Sequence, residues 1–128
     1  MPRSRSKPKS PDRLAAELFG RRGETAAAWF LRLKGYRIRA SRVKTPVGEL
    51  DLVAEHRGDL VFIEVKTRAH RDLEIEAHVA VDRRRIMRAA QYYVSLNPRF
   101  ADRTLRFDLI FLAPWAWPRH IVNAFDAS

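Results

Sequence analysis

The chain has 128 residues, of which 46% are hydrophobic and 31% charged, and it carries a formal net charge of +10 at pH 7. This length favours one domain with a buried core. The sequence contains no apolar run of the roughly 20 residues that cross a bilayer, no signal-peptide core and no cysteine. We therefore expect a cytoplasmic protein with no membrane partner, whose excess positive charge favours nucleic acid as a polyanionic partner.

The first eleven residues contain only methionine, proline, serine and basic side chains, a composition typical of a disordered tail. We predict a basic tail at 1–11 and a single folded domain at 12–128. Ser10-Pro11-Asp12 has the residue types of a helix start, and Gly35 is a typical helix end. A first helix is predicted between these two points.

Glu24 lies on this predicted helix and shares one side of it with Ala27, Ala28 and Leu31, at offsets of three, four and seven residues. A carboxylate on a side that turns inward needs a partner or a metal ion. Glu24 is therefore either part of a functional site or a boundary residue paired with an arginine. The pattern of the helix does not choose between these interpretations.

A strand at 36–43 is predicted to precede a β-hairpin at 48–67, because both hairpin arms alternate with the period of half-buried strands. With Arg57-Gly58 as the turn, Asp51 lies opposite Glu64 and Glu49 lies opposite Lys66. One face is predicted to be wholly apolar and the other largely polar. The apolar face contains Leu50, Leu52, Ala54, Val61, Ile63 and Val65, and the other contains Glu49, Asp51, Val53, Phe62, Glu64 and Lys66.

The opposition of Asp51 and Glu64 has a chemical consequence. Directly opposed residues have Cβ atoms about 5 Å apart, and two carboxylates at that distance repel by about 3 kcal/mol at an effective dielectric constant of about 20. A proton or a hard cation such as Mg²⁺ would relieve this repulsion, and Lys66 adds a positive charge on the same side. This combination indicates a metal-dependent phosphodiesterase. A solvated strand face with a weak ion pair between Glu49 and Lys66 is the more common arrangement for a hairpin considered alone.

A second helix is predicted at about 81–96, with its apolar side formed by Ile86, Ala89, Ala90, Tyr93 and Leu96. Four basic residues lie at its start or on its less apolar side, namely Arg83, Arg84, Arg85 and Arg88. They form either a solvated basic face or a surface that contacts phosphates. Arg68 shares its strand side with Glu64 and Lys66 and could reach the same nucleic-acid backbone.

Two strands, at 105–112 and 121–125, complete an αβββαβ(β) order that predicts a mixed sheet flanked by helices. Arg106 and Asp108 alternate on the first of these strands and are predicted to form a structural ion pair. Trp115 and Trp117 either stack on unpaired bases or pack down in a loop, and packing is the more common case. The sequence has no ligand-spaced histidine pair and no glycine-rich phosphate loop, which argues against zinc hydrolysis and P-loop chemistry.

Gly48-Glu49-Leu50-Asp51 followed by Glu64-Val65-Lys66-Thr67-Arg68 resembles the Asp…Glu-x-Lys motif of the restriction-endonuclease-like, or PD-(D/E)xK, nucleases. With Gly23-Glu24, Gly35-Tyr36, Arg106-Phe107-Asp108 and Asn123-Ala124-Phe125, the chain resembles the YraN family of small bacterial proteins over about residues 14–125. The resemblance implies an α/β fold with a restriction-endonuclease-like αβββαβ core. It also implies a metal-and-lysine site at Glu24, Asp51, Glu64 and Lys66, similar to that of archaeal Holliday-junction resolvases.

We therefore predict an endonuclease that uses Mg²⁺ or Mn²⁺ and acts on structured or branched DNA. In this hypothesis Asp51, Glu64, Glu24 and the Val65 carbonyl hold the metal, and Lys66 orients or activates the attacking water. Arg68 and the arginines of 83–88 would contact the backbone, and Glu49 would support Lys66. A junction-cutting enzyme would need two sites and therefore a homodimer. The alternatives are a non-catalytic nucleic-acid-binding module that retains the fold and a partner-docking protein that uses Trp115 and Trp117.

Overall fold

The computed structural model describes residues 23–67, 83–113 and 116–125, and the predicted tail at 1–11 lies outside these ranges. Helix α1 covers residues 23–33 of the described chain. Three strands follow, β1 (Arg37–Thr45), β2 (Gly48–His56) and β3 (Asp59–Thr67). Helix α2 (Arg83–Leu96) and a 3₁₀ turn (Pro98–Phe100) precede strands β4 (Thr104–Leu112) and β5 (Arg119–Phe125).

The five strands form one mixed sheet in the order β1-β2-β3-β4-β5. Strands β3 and β4 are parallel, whereas the other neighbouring pairs are antiparallel. A parallel pair requires a crossover connection, and α2 lies between the two strands in the chain. The element order confirms the predicted α/β fold with a restriction-endonuclease-like αβββαβ core, to which β5 adds an edge strand. No helix of the described residues is long and apolar enough to cross a membrane.

The β2–β3 hairpin has the predicted register. Its backbone pairs run from His56 opposite Asp59 to Leu52 opposite Ile63. The turn residues Arg57 and Gly58 have φ angles of +51° and +85°, as the type I′ turn of a two-residue hairpin requires. The strand predicted at 36–43 is displaced to Arg37–Thr45, and the two last strands begin one and two residues earlier than predicted.

Both faces of the sheet are covered, so the prediction of a half-buried hairpin is wrong. Residues alternate along β3: Leu60 and Phe62 contact the cluster that contains α2. Val61 and Ile63 contact the cluster that contains α1. A strand with a helix on each face buries both sets of side chains. For this reason Val53 and Phe62, predicted on the polar face, are buried.

The predicted positions of two leucines are also wrong: Leu50 is not on the face of Leu52, and Leu96 is not in the core. Leu50 packs in the α2 cluster, away from Leu52, and its partner on β1 is Val43. Arg42 has a φ angle of +52°, which interrupts the alternation next to that pair. Leu96 is 64% exposed, because the ring of Phe100 from the following turn stacks on Tyr93 at the end of the cluster.

The predicted ion pair between Arg106 and Asp108 is confirmed and forms the centre of a buried polar network. Asp108 accepts hydrogen bonds at 3.0 Å from Arg106 Nε and Nη2 and at 2.9 Å from the Asn123 N–H. His120 Nε2 lies 2.8 Å from the same carboxylate. Burial acts to raise the pKa of Asp108, but the hydrogen bonds from His120 and Arg106 outweigh it and lower the pKa below the ordinary value.

Asp108→Asn is expected to destabilise the protein by about 3 kcal/mol, because removing one partner of a buried charge pair leaves the other uncompensated. Chemical denaturation at pH 7 measures this loss. Asp102→Asn, which removes the same charge from an exposed turn residue, should change the free energy of unfolding by less than about 0.5 kcal/mol. Equal effects of the two substitutions would contradict a stabilising role for the network.

Candidate metal and phosphate site

Three carboxylates from two elements meet at one end of the sheet. Glu24 of α1 and Glu49 and Asp51 of β2 each offer an oxygen, and these oxygens lie within 4.8 Å of one another. We call these three residues the acid cluster. The predicted pairing of a first-helix glutamate with Asp51 is therefore present in the structure.

A close approach at Gly23 positions the helical member of the acid cluster. A Cβ atom at Gly23 would lie 2.6 Å from Thr67 Cγ2 and 3.3 Å from Leu112 Cδ1. Only a residue without a side chain allows α1 to lie this close to the ends of β3 and β4. Glu24 is the next residue, so this contact fixes the start of the described helix near the carboxylates of Glu49 and Asp51.

Asp51 is held by the neighbouring strand through its side chain. The backbone pairs between β2 and β3 reach Leu52 and Ile63, and beyond them Asp51 Oδ2 accepts a hydrogen bond of 2.8 Å from the Val65 N–H. At this position a side-chain carboxylate, in place of a backbone carbonyl, accepts the hydrogen bond that joins β2 to β3. This hydrogen bond fixes the orientation of Asp51 and uses one of its two oxygens.

The electrostatic environment raises the pKa of Asp51 to about 7. Burial is the largest cause, followed by the negative charge of Glu64, and Glu24 adds to it. The Val65 N–H and the charge of Lys66 act in the opposite direction. The influence of Glu64 agrees with the predicted opposition of Asp51 and Glu64 across the hairpin.

Lys66 lies beside the acids, with its Nζ 3.2 Å from Glu64 Oε1. Both side chains are partly buried, with relative exposures of 25% and 13%. Glu49 was predicted to support Lys66, whereas the structure groups Glu49 with Glu24 and Asp51. The role of Glu49 in supporting Lys66 stays a prediction. Its place in the acid cluster adds a second one, that Glu49 binds a cation directly.

The position of Glu24 is compatible with both interpretations that the sequence left open. It belongs to the acid cluster, and its Oε2 also lies 3.5 Å from Arg42 Nε. Sequence reasoning did not identify Arg42 as a site residue. Its left-handed backbone conformation, at a φ angle of +52°, has no signal in the local sequence, since arginine rarely adopts it.

The arginines of α2 are exposed, and they differ in how they relate to the acid cluster. A Cβ atom at Gly48 would lie 2.9 Å from Arg85 Cγ, so the Arg85 side chain passes over the chain next to Glu49. Arg83 lies over the ring of Phe125, at 5.6 Å. Arg84 and Arg88 belong to the exposed helix surface. Arg68 and Trp115 lie outside the described residues, and Trp117 is 83% exposed.

The donor set fits a hard divalent cation. Carboxylate oxygens are the protein ligands that Mg²⁺ and Mn²⁺ prefer. A cation would offset the burial and the repulsion by Glu64 that raise the pKa of Asp51. Glu24, Glu49 and Asp51 would hold the ion, and Glu64 and the Val65 carbonyl are the further candidates predicted from the sequence. The residues present are therefore compatible with the predicted cofactor.

A family model described as "Uncharacterised protein family UPF0102" matches residues 23–112. The chain belongs to the UPF0102 family. This confirms the resemblance to the YraN family, because the two names denote the same family. The matched segment of this UPF0102 chain contains the acid cluster, Glu64 and Lys66.

Relatives described as UPF0102 proteins are similar over nearly the whole chain. One from Rhodopseudomonas palustris (strain BisA53) is 47% identical over 123 residues, which is 96% of this chain and 95% of the relative. Another, from Parvibaculum lavamentivorans, is 44% identical over 124 residues, covering 97% and 93% of the two chains. A third, from Bradyrhizobium sp. (strain BTAi1), is 46% identical over 123 residues, covering 96% and 90%. These names assign no activity to the family.

The raised pKa of Asp51 predicts a stability that depends on pH in the absence of metal. A carboxylate with a folded-state pKa near 7 and an ordinary unfolded value of 3.8 destabilises the protein as pH rises through this interval. Asp51→Asn is expected to stabilise the metal-free protein by about 1–3 kcal/mol at pH 8 and to have little effect near pH 4. Denaturation in EDTA at both pH values measures the difference.

Asp102→Asn serves as the charge-matched control and should show no such pH-dependent gain. Addition of Mg²⁺ at pH 8 should raise the melting temperature of the wild type and leave that of Asp51→Asn unchanged, because a cation stabilises only the state that binds it. A stabilisation by Asp51→Asn of equal size at both pH values would contradict the assignment of the raised pKa.

Proposed function

We propose that this protein is a nuclease that hydrolyses phosphodiester bonds in DNA and uses Mg²⁺ or Mn²⁺. The observation that carries the proposal is the acid cluster itself, in which three carboxylate oxygens lie within 4.8 Å of one another beside the Lys66–Glu64 pair. Such crowding costs stability unless a cation or proton compensates it. The arrangement is therefore better explained by a bound cation than by a solvated strand face.

The bound cation would supply Lewis-acid stabilisation of the negative charge on the phosphate. Asp51 and Glu24 would bind it, with Glu49, Glu64 and the Val65 carbonyl as the remaining candidate ligands. The Val65 N–H holds Asp51 in one orientation, so the site is arranged before the metal arrives. Preorganised ligands avoid the cost of ordering them on binding.

Lys66 would act on the phosphate and the attacking water. Glu64 holds its ammonium group at 3.2 Å, next to the acid cluster. From this position Lys66 can donate hydrogen bonds to a water molecule or to a phosphate oxygen and stabilise the charge that develops in the transition state.

The proposed substrate is nucleic acid, with DNA favoured over RNA and branched structures favoured over plain duplex. A net charge of +10 and the exposed arginines of α2 suit a polyanion. Arg85 supports this assignment because its side chain lies against Gly48 at the start of β2. Arg68 would contribute from the end of the same motif. The preference for branched DNA and a homodimer with two sites rest on the family resemblance.

The proposal predicts that the purified protein cleaves at least one of four labelled DNA substrates in Mg²⁺ or Mn²⁺: duplex, single strand, flap or four-way junction. Asp51→Asn and Lys66→Ala are expected to reduce the rate by about 100-fold or more, the size of effect seen when one transition-state contact is removed. Asp102→Asn should cleave as the wild type does. Circular dichroism and thermal unfolding establish that each variant is folded.

A folded Lys66→Ala that cleaves at the wild-type rate would contradict the role of the lysine. The second candidate, a non-catalytic binding module, is favoured by the exposed arginines of α2, because arginines bind phosphates whether or not a catalytic site is present. It predicts salt-sensitive binding that ignores Mg²⁺ and persists in Asp51→Asn. Equal binding by the wild type and Asp51→Asn, with no cleavage of any substrate by either, would support the module over the enzyme.

A further inference from the structure

A groove between α1 and β1 borders the acid cluster and takes no part in the chemistry described so far. It encloses a cavity of about 380 Å³, and Glu24 lines it. Its apolar part is formed by Ala28, Ile38 and Leu52. The volume falls within the range of sites that bind small molecules. Glu24 therefore belongs both to the acid cluster and to a cavity of ligand size.

Two guanidinium groups border this cavity. Arg32 lines it, and its guanidinium carbon lies 4.9 Å from the ring centroid of Trp29, which is 60% exposed. Arg42 lines it as well and lies 3.5 Å from Glu24. An apolar surface flanked by two cations complements a flat, uncharged ring that is attached to a phosphate.

We propose that this groove binds one unpaired nucleotide of the substrate, immediately next to the phosphate that lies at the acid cluster. Its base would rest against Ile38, above the nearly buried side chains of Ala28 and Leu52, and its phosphate would face Arg32 and Arg42. This inference rests on the proposed function, because the acid cluster locates the neighbouring phosphate. It adds a base-binding subsite and a reason for substrate preference.

The subsite discriminates between paired and unpaired DNA. A base within a duplex has its faces covered by its stacked neighbours, and exposing one requires unstacking and unpairing. An unpaired base at a flap, a single-stranded end or a junction meets no such cost. The groove therefore favours binding of these structures over an intact duplex.

Binding experiments in EDTA test the subsite separately from cleavage. The probes are a fluorescently labelled single-stranded oligonucleotide, the same strand in a duplex, and single-stranded versions with one abasic nucleotide at each position in turn. Ser41 lines the groove at an exposed position of β1, so Ser41→Leu places an apolar side chain in it. The matched control is Thr104→Leu, at an exposed position of β4.

Ser41→Leu is expected to weaken single-strand binding by about fivefold or more, the lower range for loss of one stacked base, and to leave duplex binding unchanged. Thr104→Leu should bind both probes as the wild type does. One abasic position should weaken binding to the wild type and have no effect on Ser41→Leu. Arg42→Asn removes the guanidinium with a residue that tolerates a positive φ angle and should also weaken single-strand binding.

The proposal is overturned if Ser41→Leu and Arg42→Asn, shown to be folded by thermal unfolding, bind both probes as the wild type does. It is also overturned if both weaken duplex and single-strand binding equally, because that result indicates a general electrostatic effect. The cleavage test with Asp51→Asn and Lys66→Ala is independent of these outcomes. A selective loss in Ser41→Leu without cleavage by the wild type would retain the subsite and refute the nuclease.

Discussion

The buried carboxylate of Asp108 is the interaction on which the arrangement of the described chain depends. It is the one charged residue that is fully buried within the described ranges, at 1% exposure. Arg106 from its own strand and the Asn123 N–H from β5 compensate its charge. Tyr36, three residues after the end of α1, has its Oη 3.4 Å from the same carboxylate. Because a buried charge is tolerated only with such partners, Asp108 links the central strands to the edge strand and to the end of the helix that carries Glu24.

The acid cluster shows the opposite use of a carboxylate. Asp108 has enough hydrogen-bond donors to outweigh its burial and lower its pKa, whereas Asp51 is buried beside the negative charges of Glu64 and Glu24 with one backbone N–H as its donor, and its pKa rises to about 7. A fold that were selected for stability alone would gain by replacing Asp51 with a neutral residue. Local destabilisation of this kind is expected where residues serve a function. Asp108 therefore stabilises the sheet, whereas Asp51 serves the proposed chemistry.

Positive charge approaches the acid cluster from two sides. Arg85 of α2 lies against Gly48, the residue before Glu49, and Arg32 and Arg42 border the groove that Glu24 shares. On the proposed function, a DNA strand would cross the acid cluster between these two basic surfaces, with its unpaired base in the groove. The Arg42 conformation is part of this arrangement, since a positive φ angle in a non-glycine residue persists only where the surroundings stabilise it.

The sequence by itself determined the element order, the Arg57-Gly58 turn and the hairpin register that sets Asp51 near Glu64, because these depend on contacts between residues close in the chain. The Arg106–Asp108 pair was also predictable, because residues two apart on a strand lie on the same face. Only the tertiary structure decided that Glu49 joins Glu24 and Asp51, that Leu50 packs against α2, and that a groove with Arg42 adjoins the acids. Those features depend on how closely α1 approaches β3 at Gly23 and on coverage of both faces of the sheet. No local pattern encodes them, because the residues in contact are far apart in the chain.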